Sequence, residues 1–412
     1  FLGELCRHYP KENLCCFGVC EKNYEPLPHD LDGIPIVYSS PPSVLRLCSV
    51  LSRISDPFTW QKRNLTSQTA QLGKVICSIF ARVSDPFIWE YFKLQTSNLI
   101  SQAVQLGKEN HIDIVWSTLE TATTIYMARR IAEKLGVQLV TLVWDPPEHV
   151  LPKLEVLDGF FSKNILKEFK KNLKSAKKCG VASDSMKKEY EDIYNVDSIT
   201  LIHGIHSSKW KMPAKELNND SNFIIGFAGS LYAIQEWDAL LSALSKVDWR
   251  ICGRDVIIRL VGKLFKLDTK SRANIEYFGY RSVDETIELM SKADITYLPY
   301  WFDKSYSIAV RLAFPNKFST YLASGRPVLF HGPEDSSPAH FIKKFPVGLC
   351  CHSLEESEII RCLERFITDK DFYASATEAG HRALTQELNL DIFLSHFAEL
   401  IGVDKESLLH ID

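Results

Sequence analysis

Short apolar runs alternate with stretches of helical period along most of the chain. Runs at Asn13–Val19, Ile34–Tyr38, Ile112–Trp116, Gln138–Val143, Cys179–Ala182 and Ser198–Ile202 predict one set of strands. A second set is predicted at Phe223–Ala228, Val256–Val261, Ile275–Phe278, Ile295–Pro299, Val328–His331 and Gly348–Cys351. Continuous apolar strands between helices point to parallel sheets covered on both faces. Capping boxes mark helix starts at Ser117 with Glu120, Ser282 with Glu285 and Ser353 with Glu356. Phe1–Tyr9 also reads as a helix, and a last helix is expected over about Leu388–Ile401.

The polar stretch 209–222, with Lys211, Pro213, Asn218, Asn219 and Asp220, separates the two sets and reads as a connector. The expectation is an α/β chain of two doubly wound parallel-sheet domains, residues 1–208 and 221–385. The terminal segment 386–412 is expected to pack back toward the N-terminal domain.

One internal repeat interrupts the first domain. Ser55-Asp-Pro-Phe-Thr-Trp60 recurs as Ser84-Asp-Pro-Phe-Ile-Trp89, and Gln71-Leu-Gly-Lys74 recurs as Gln105-Leu-Gly-Lys108. This predicts an inserted helical repeat over 55–108. Its aromatic and basic residues, among them Phe58, Trp60, Phe87, Trp89, Tyr91 and Phe92, either pack the insert onto the domain or form a membrane-surface or acceptor-binding face.

Composition narrows the function classes. The 412 residues carry 48 basic and 51 acidic side chains, a net of −3, which argues against a dedicated nucleic-acid binder. No apolar run approaches the roughly 18–20 residues that span a bilayer. The eleven cysteines form no CxxC pair or Cys/His zinc spacing. Their scatter through core-like positions suggests reduced thiols and a cytoplasmic protein. The chain starts at Phe1 with no signal-peptide pattern, so the expectation is that the natural chain begins earlier and a first strand is missing.

The most informative segment is Phe314-Pro-Asn-Lys-Phe-Ser-Thr-Tyr-Leu-Ala-Ser-Gly-Arg-Pro-Val328. Pro315 suits a helix start, and a helix is expected over about Asn316–Ala323, ending at Gly325. Its free N–H groups and positive dipole end would suit a diphosphate. Lys317 in the first turn adds a full charge, where a structural lysine would favour the other end. Arg311 precedes it in a predicted loop. Gly229 and Ser230 follow a buried strand, where a glycine turn lets backbone approach a ligand.

Other candidates are weaker. Asp30-Leu-Asp32 lies in a Pro/Gly turn and needs no metal. The stretch Phe160–Lys178 carries seven lysines and a stripe of Phe161, Ile165, Phe169 and Leu173. It reads as either a solvated helix or a peripheral contact with anionic lipid at the inner membrane face.

Taken in order, these motifs resemble the GT-B glycosyltransferases. Ile202-His-Gly-Ile-His206, Phe223-Ile-Ile-Gly-Phe-Ala-Gly-Ser230, Arg259-Leu-Val-Gly-Lys263, Asn274-Ile-Glu-Tyr-Phe-Gly-Tyr280, Ala293-Asp-Ile-Thr-Tyr-Leu-Pro-Tyr300 and the 314–328 segment carry the likeness. It covers roughly 110–400.

The resemblance implies two Rossmann-like domains facing a cleft and a nucleotide-sugar donor bound by the second. The implied donor residues are Gly229, Ser230, Lys263, Arg311, Asn316, Lys317 and Thr320. The implied catalytic residues are Lys317, for the departing diphosphate, and Asp145 or His149, in Trp144-Asp-Pro-Pro-Glu-His149, as acid/base or acceptor contact. No metal and no cofactor beyond the nucleotide-sugar co-substrate are implied. The acceptor class is a cell-surface glycan or a lipid-linked precursor.

The Glu-x7-Glu pattern of many retaining relatives is absent: Leu312 and Thr320 occupy those positions. Stereochemistry stays open. So do a sugar-nucleotide epimerase of the same fold and a non-catalytic nucleotide-sugar-binding subunit.

Overall fold

The computed structural model describes residues 14–19, 36–39, 67–150, 160–218, 221–262 and 274–408; for 18–19, 36–39, 67–85 and 149–150 it describes the backbone. The chain divides into two compact units. The first comprises Phe1–Ala182, Lys187–Thr200 and Phe397–Asp412, and the second Ser183–Met186 and Leu201–His396.

In the first unit, β1 (Cys16–Val19) and β2 (Ile36–Ser39) form a parallel pair. A separate four-stranded parallel sheet runs β3 (Ile114–Thr118), β4 (Gln138–Val143), β5 (Lys178–Val181), β6 (Ser198–Thr200) in that order. The intervening helices are α1 (Ser67–Glu109), α2 (Ala122–Leu135), the short α3 (Pro147–Val150), α4 (Phe160–Ser175) and α5 (Asp184–Tyr194), the last belonging to this unit from Lys187 onward. The β4 strand is buried from Leu139 onward, as a central parallel strand must be.

The insert is one continuous 43-residue helix, α1, with Pro86 inside it. The first copy of the Ser-Asp-Pro-Phe motif lies outside the described residues. In the second copy the aromatics divide. Trp89 and Phe92 are buried and pack edge-on against Tyr126 and Phe161, whereas Phe87 and Tyr91 face solvent.

Two capping expectations shift. Ser117 lies within β3, and Thr121 caps α2 in a reciprocal box with Thr124. Ser282 and Glu285 form the expected box. Ser353 does not cap a helix; its hydroxyl accepts from the backbone N–H of Glu355 at 3.0 Å, just before the next helix.

The second unit has a seven-stranded sheet. Its strands are β7 (Asn222–Ala228), β8 (Arg250–Ile251), β9 (Arg254–Val261), β10 (Ile275–Tyr277), β11 (Ile295–Pro299), β12 (Val328–His331) and β13 (Gly348–Cys351). The order is β10-β9-β7-β11-β12-β13, all parallel, with β8 paired antiparallel to β9. Counted in chain order, the parallel strands run third, second, first, fourth, fifth, sixth, the doubly wound order.

The helices are α6 (Ile234–Lys246), α7 (Val283–Ser291), α8 (Ser307–Leu312), α9 (Lys317–Ala323), α10 (Ser337–Lys344), α11 (Glu356–Thr368), α12 (Lys370–Gln386) and α13 (Leu390–Ile401). The core on one face joins Phe223, Ile225 and Phe227 of β7 to Trp237 and Leu240 of α6 and Leu363 and Phe366 of α11.

The stretch expected to be a connector is held on the second unit. Lys211 N–H donates to the Ala323 carbonyl at 2.8 Å, Ala214 N–H to Gly325 at 3.0 Å and Asn218 N–H to the Asp294 carboxylate at 2.7 Å. Residues 397–408 belong to the first unit, where Phe397 packs on Trp116 and Glu399 pairs with Lys178. Among the described residues no helix is long and apolar enough to cross a membrane.

Candidate functional site

Strand order directs attention to one place. Where β7 and β11 lie side by side, their connections leave in opposite directions, and ligands of doubly wound sheets bind beyond the strand ends at this point. Beyond β7 the chain turns through Gly229 and Ser230; beyond β11 it passes through Tyr300 and Trp301.

Gly229 sits at φ +94°, a conformation that side chains with a Cβ rarely adopt. It is closely flanked as well: a Cβ on the neighbouring Gly262 would meet the Gly229 carbonyl oxygen at 2.4 Å. The two loops at the switch point are tied together. The Trp301 indole N–H donates to the Tyr232 carbonyl at 3.0 Å, and the two rings are 4.5 Å apart. Trp301 also stacks on Tyr306 at 4.6 Å.

α9 delivers Lys317 to this turn. The helix has seven residues with Asn316 at its cap, where the Asn side chain makes no capping hydrogen bond. Tyr321 is fully buried, and its hydroxyl accepts from the Ala228 N–H at 2.8 Å. One turn earlier, Lys317 Nζ donates to the Ser230 carbonyl at 3.1 Å. The ammonium lies 4.6 Å from the Phe227 ring centroid and 4.4 Å from that of Tyr232. Burial pushes the Lys317 pKa down to about 7. The lysine is thus placed in an apolar, ring-lined position at the end of β7, where an arriving anion would restore its charge.

The remaining candidates are spread over both units. Thr320 is half-buried on α9, and Asn316 is exposed. Arg311, expected in a loop, occupies the last turn of α8, where a cation suits the helix dipole. Lys263 lies outside the described residues. In the first unit, Asp145 is half-buried in the bend after β4, and His149 lies in α3, described by its backbone. His206 caps a short 3₁₀ turn, and His203 packs on Phe393.

Two carboxyl groups escape the sequence reading. Glu236, in the first turn of α6, is 1 % exposed. Its Oε1 accepts from the Phe302 N–H at 2.6 Å, while Oε2 has no hydrogen-bond partner. Burial raises its pKa, and the carboxyl joins the two switch-point loops through the Phe302 N–H. Beneath it, Tyr297 Oη contacts the Glu236 carbonyl at 3.0 Å and His331 Nδ1 at 2.8 Å, and burial lowers the His331 pKa to about 4.

The second is Glu120, just past β3. Its pKa is raised by burial and by the nearby charge of Asp145. Glu120 and Asp145 therefore form a pair at the carboxyl edge of the first unit's sheet. The capping-box pattern assigns Glu120 elsewhere, and an isolated Glu in the first turn of α6 gives no sequence signal.

Comparison with solved structures identifies the architecture. HepE from Anabaena, in complex with UDP, matches with a TM-score of 0.64 at 14 % identity, over 97 % of this chain and 94 % of that one. The α,α-trehalose 6-phosphate synthase of Burkholderia multivorans matches with 0.55 at 12 % identity, over 77 % and 75 %. Sucrose-phosphate synthase of Thermosynechococcus elongatus matches with 0.54 at 11 % identity, over 74 % and 77 %. The chain has the GT-B fold. No family model and no curated protein matches the sequence.

Proposed function

We propose that the protein is a glycosyltransferase that uses a nucleotide-activated sugar, with UDP as the nucleotide. The observation that carries this is the Lys317 ammonium, held by the Ser230 carbonyl between two rings at the end of β7. Sugar transfer releases a nucleoside diphosphate, and a preplaced amine that takes up a proton as the anion arrives stabilises the charge that develops on it. Gly229 opens the backbone to the same group. UDP is proposed because HepE structures hold UDP and UDP-glucose.

On the first unit, Asp145, with Glu120 beside it, is the candidate for the acid–base role, and His149 is the alternative. No metal or further cofactor is required for this chemistry. The proposed acceptor is a glycan or a lipid-linked precursor.

Thr320 at the position of a ribose-holding glutamate favours a second reading, a subunit that binds the nucleotide sugar without transferring it. Thermal unfolding against UDP, GDP, dTDP and CMP separates them in part. Ligand at about 100 times its dissociation constant adds about 2.7 kcal/mol of stability. A shift with UDP that disappears in Lys317→Ala supports the donor site; no shift with any nucleotide sinks it. Release of UDP from UDP-sugar only when an acceptor is present then distinguishes a transferase from the binding subunit, and conversion of the sugar without acceptor identifies an epimerase.

A further inference from the structure

We propose that α1 and α4 of the first unit form a docking surface for a bilayer that carries anionic lipid. Lys163, Lys167, Lys170 and Lys174 are all exposed along α4. Their spacing places them on one side of the helix, opposite the buried Phe161, Ile165, Phe169 and Leu173. The acidic residue of that helix, Glu168, does not neutralise the stripe. It is turned inward and bound by Arg130 at 2.7 Å and Lys171 at 2.9 Å.

Apolar groups accompany the charge. Phe87, Tyr91 and Leu94 of α1 recur at helical spacing and are 74 %, 49 % and 71 % exposed. Phe160, at the start of α4 on the lysine side, is 46 % exposed. The buried neighbours of these residues bring the two helices together: Phe161 lies 5.7 Å from Trp89 and 5.2 Å from Phe92. The exposed apolar stretch of α1 and the lysine stripe of α4 thus lie on two helices that pack against each other.

Lysine with bare Phe, Tyr and Leu is the composition of a helix that lies in the lipid headgroup region. The apolar groups enter the acyl boundary, and the lysines meet the negative surface potential. A nucleic-acid surface would gain nothing from a bare Leu94 and would favour arginine for base and phosphate recognition. The chain's net charge is −3, so attraction to an anionic surface comes from local basic clusters such as this stripe and not from the chain as a whole.

The test is sedimentation of the full chain with vesicles of phosphatidylcholine alone or mixed equally with phosphatidylglycerol. The expected result is pelleting with the mixed vesicles, weakened by salt. Lys163→Ser/Lys167→Ser/Lys170→Ser/Lys174→Ser should lower partitioning at least about tenfold. Phe87→Ser/Tyr91→Ser/Leu94→Ser should lower it with every lysine in place. Should the triple variant melt early, Leu94→Ser alone replaces it. The proposal is overturned if the mixed vesicles bind nothing, or if the lysine variant pellets as the parent does. It is also overturned if the apolar variants bind vesicles unchanged and duplex DNA competes them off, which would identify a polyanion surface.

Discussion

Lys317 and Tyr321 lie one turn apart on α9 and hold the same strand end. Tyr321 bonds the backbone of Ala228, the last residue of β7, through both its N–H at 2.8 Å and its carbonyl at 3.2 Å. Lys317 reaches the carbonyl of Ser230 two residues on. The tyrosine sets where the helix sits, and the helix sets where the ammonium sits.

Tyr321→Phe therefore has two consequences. It leaves the buried Ala228 N–H without its acceptor, which costs about 1–3 kcal/mol. It also loosens the register of Lys317 against the glycine turn. Urea unfolding should show the stability loss, and UDP affinity should fall although residue 321 is not a proposed ligand contact. Unchanged affinity would mean that the helix is positioned by other contacts.

The pH dependence of donor binding follows from Lys317. Its folded pKa, about 7, lies below the lysine value of 10.5. Between those values the unfolded chain carries a proton that the ligand-free fold has released. Stability of the ligand-free protein should therefore rise with pH over that window. A diphosphate favours the charged amine, so binding takes up a proton, and affinity should weaken as pH rises above about 7. Titration calorimetry in buffers of different ionisation enthalpy measures the uptake directly. Lys317→Arg, always charged, should bind UDP with little pH dependence. Lys317→Ala should lose roughly 10- to 100-fold, since a hydrogen bond from a charged group is worth about 1.5–3 kcal/mol.

Much of the fold is legible in the order of residues alone. Gln138–Val143, Ile295–Pro299, Val328–His331 and Gly348–Cys351 match the observed strands end to end; in the first three, a parallel strand buried over nearly its whole length is an unbroken apolar run with no competing period. Pro315 and Lys317 likewise mark a helix start locally. The two-residue strand β8 is not legible: it forms in a tight hairpin where Asp248, Trp249 and Cys252 all take positive φ. Ser117 shows the opposite failure, a good capping pattern overruled because the strand extends through it. Glu236 and Glu120 acquire their character only from what packs around them. Burial is the main cause of both raised pKa values, and the charge of Asp145 adds to that of Glu120.

Glu236 makes a separable prediction. Its pKa is raised above the ordinary 4.5 by burial, so the fold holds a proton that the unfolded chain has already lost. The native state then loses stability as pH climbs from 4.5 toward the raised value, and the cost persists above it. Glu236→Gln is neutral at every pH and can still accept from the Phe302 N–H. The variant should melt no lower than the parent at pH 5, and its advantage should grow as pH rises and level off once the native carboxyl has ionised. A melting difference independent of pH would show that the native carboxyl is already ionised.

The carboxyl pair on the first unit bears on the chemical step alone. Asp145 lies beside Glu120, whose pKa is raised by burial and by that neighbour. If Asp145 is the acid–base group, Asp145→Asn should lower turnover by about 10²- to 10⁴-fold while UDP affinity stays at the parental value, because the donor contacts lie on the second unit. Glu120→Gln removes a like-charge competitor, so the acidic limb of the rate profile should move in that variant with affinity again unchanged. Steady-state rates across pH, paired with direct UDP binding, read both effects. A loss of UDP affinity in Asp145→Asn equal to its loss of rate would place that carboxylate in donor binding instead.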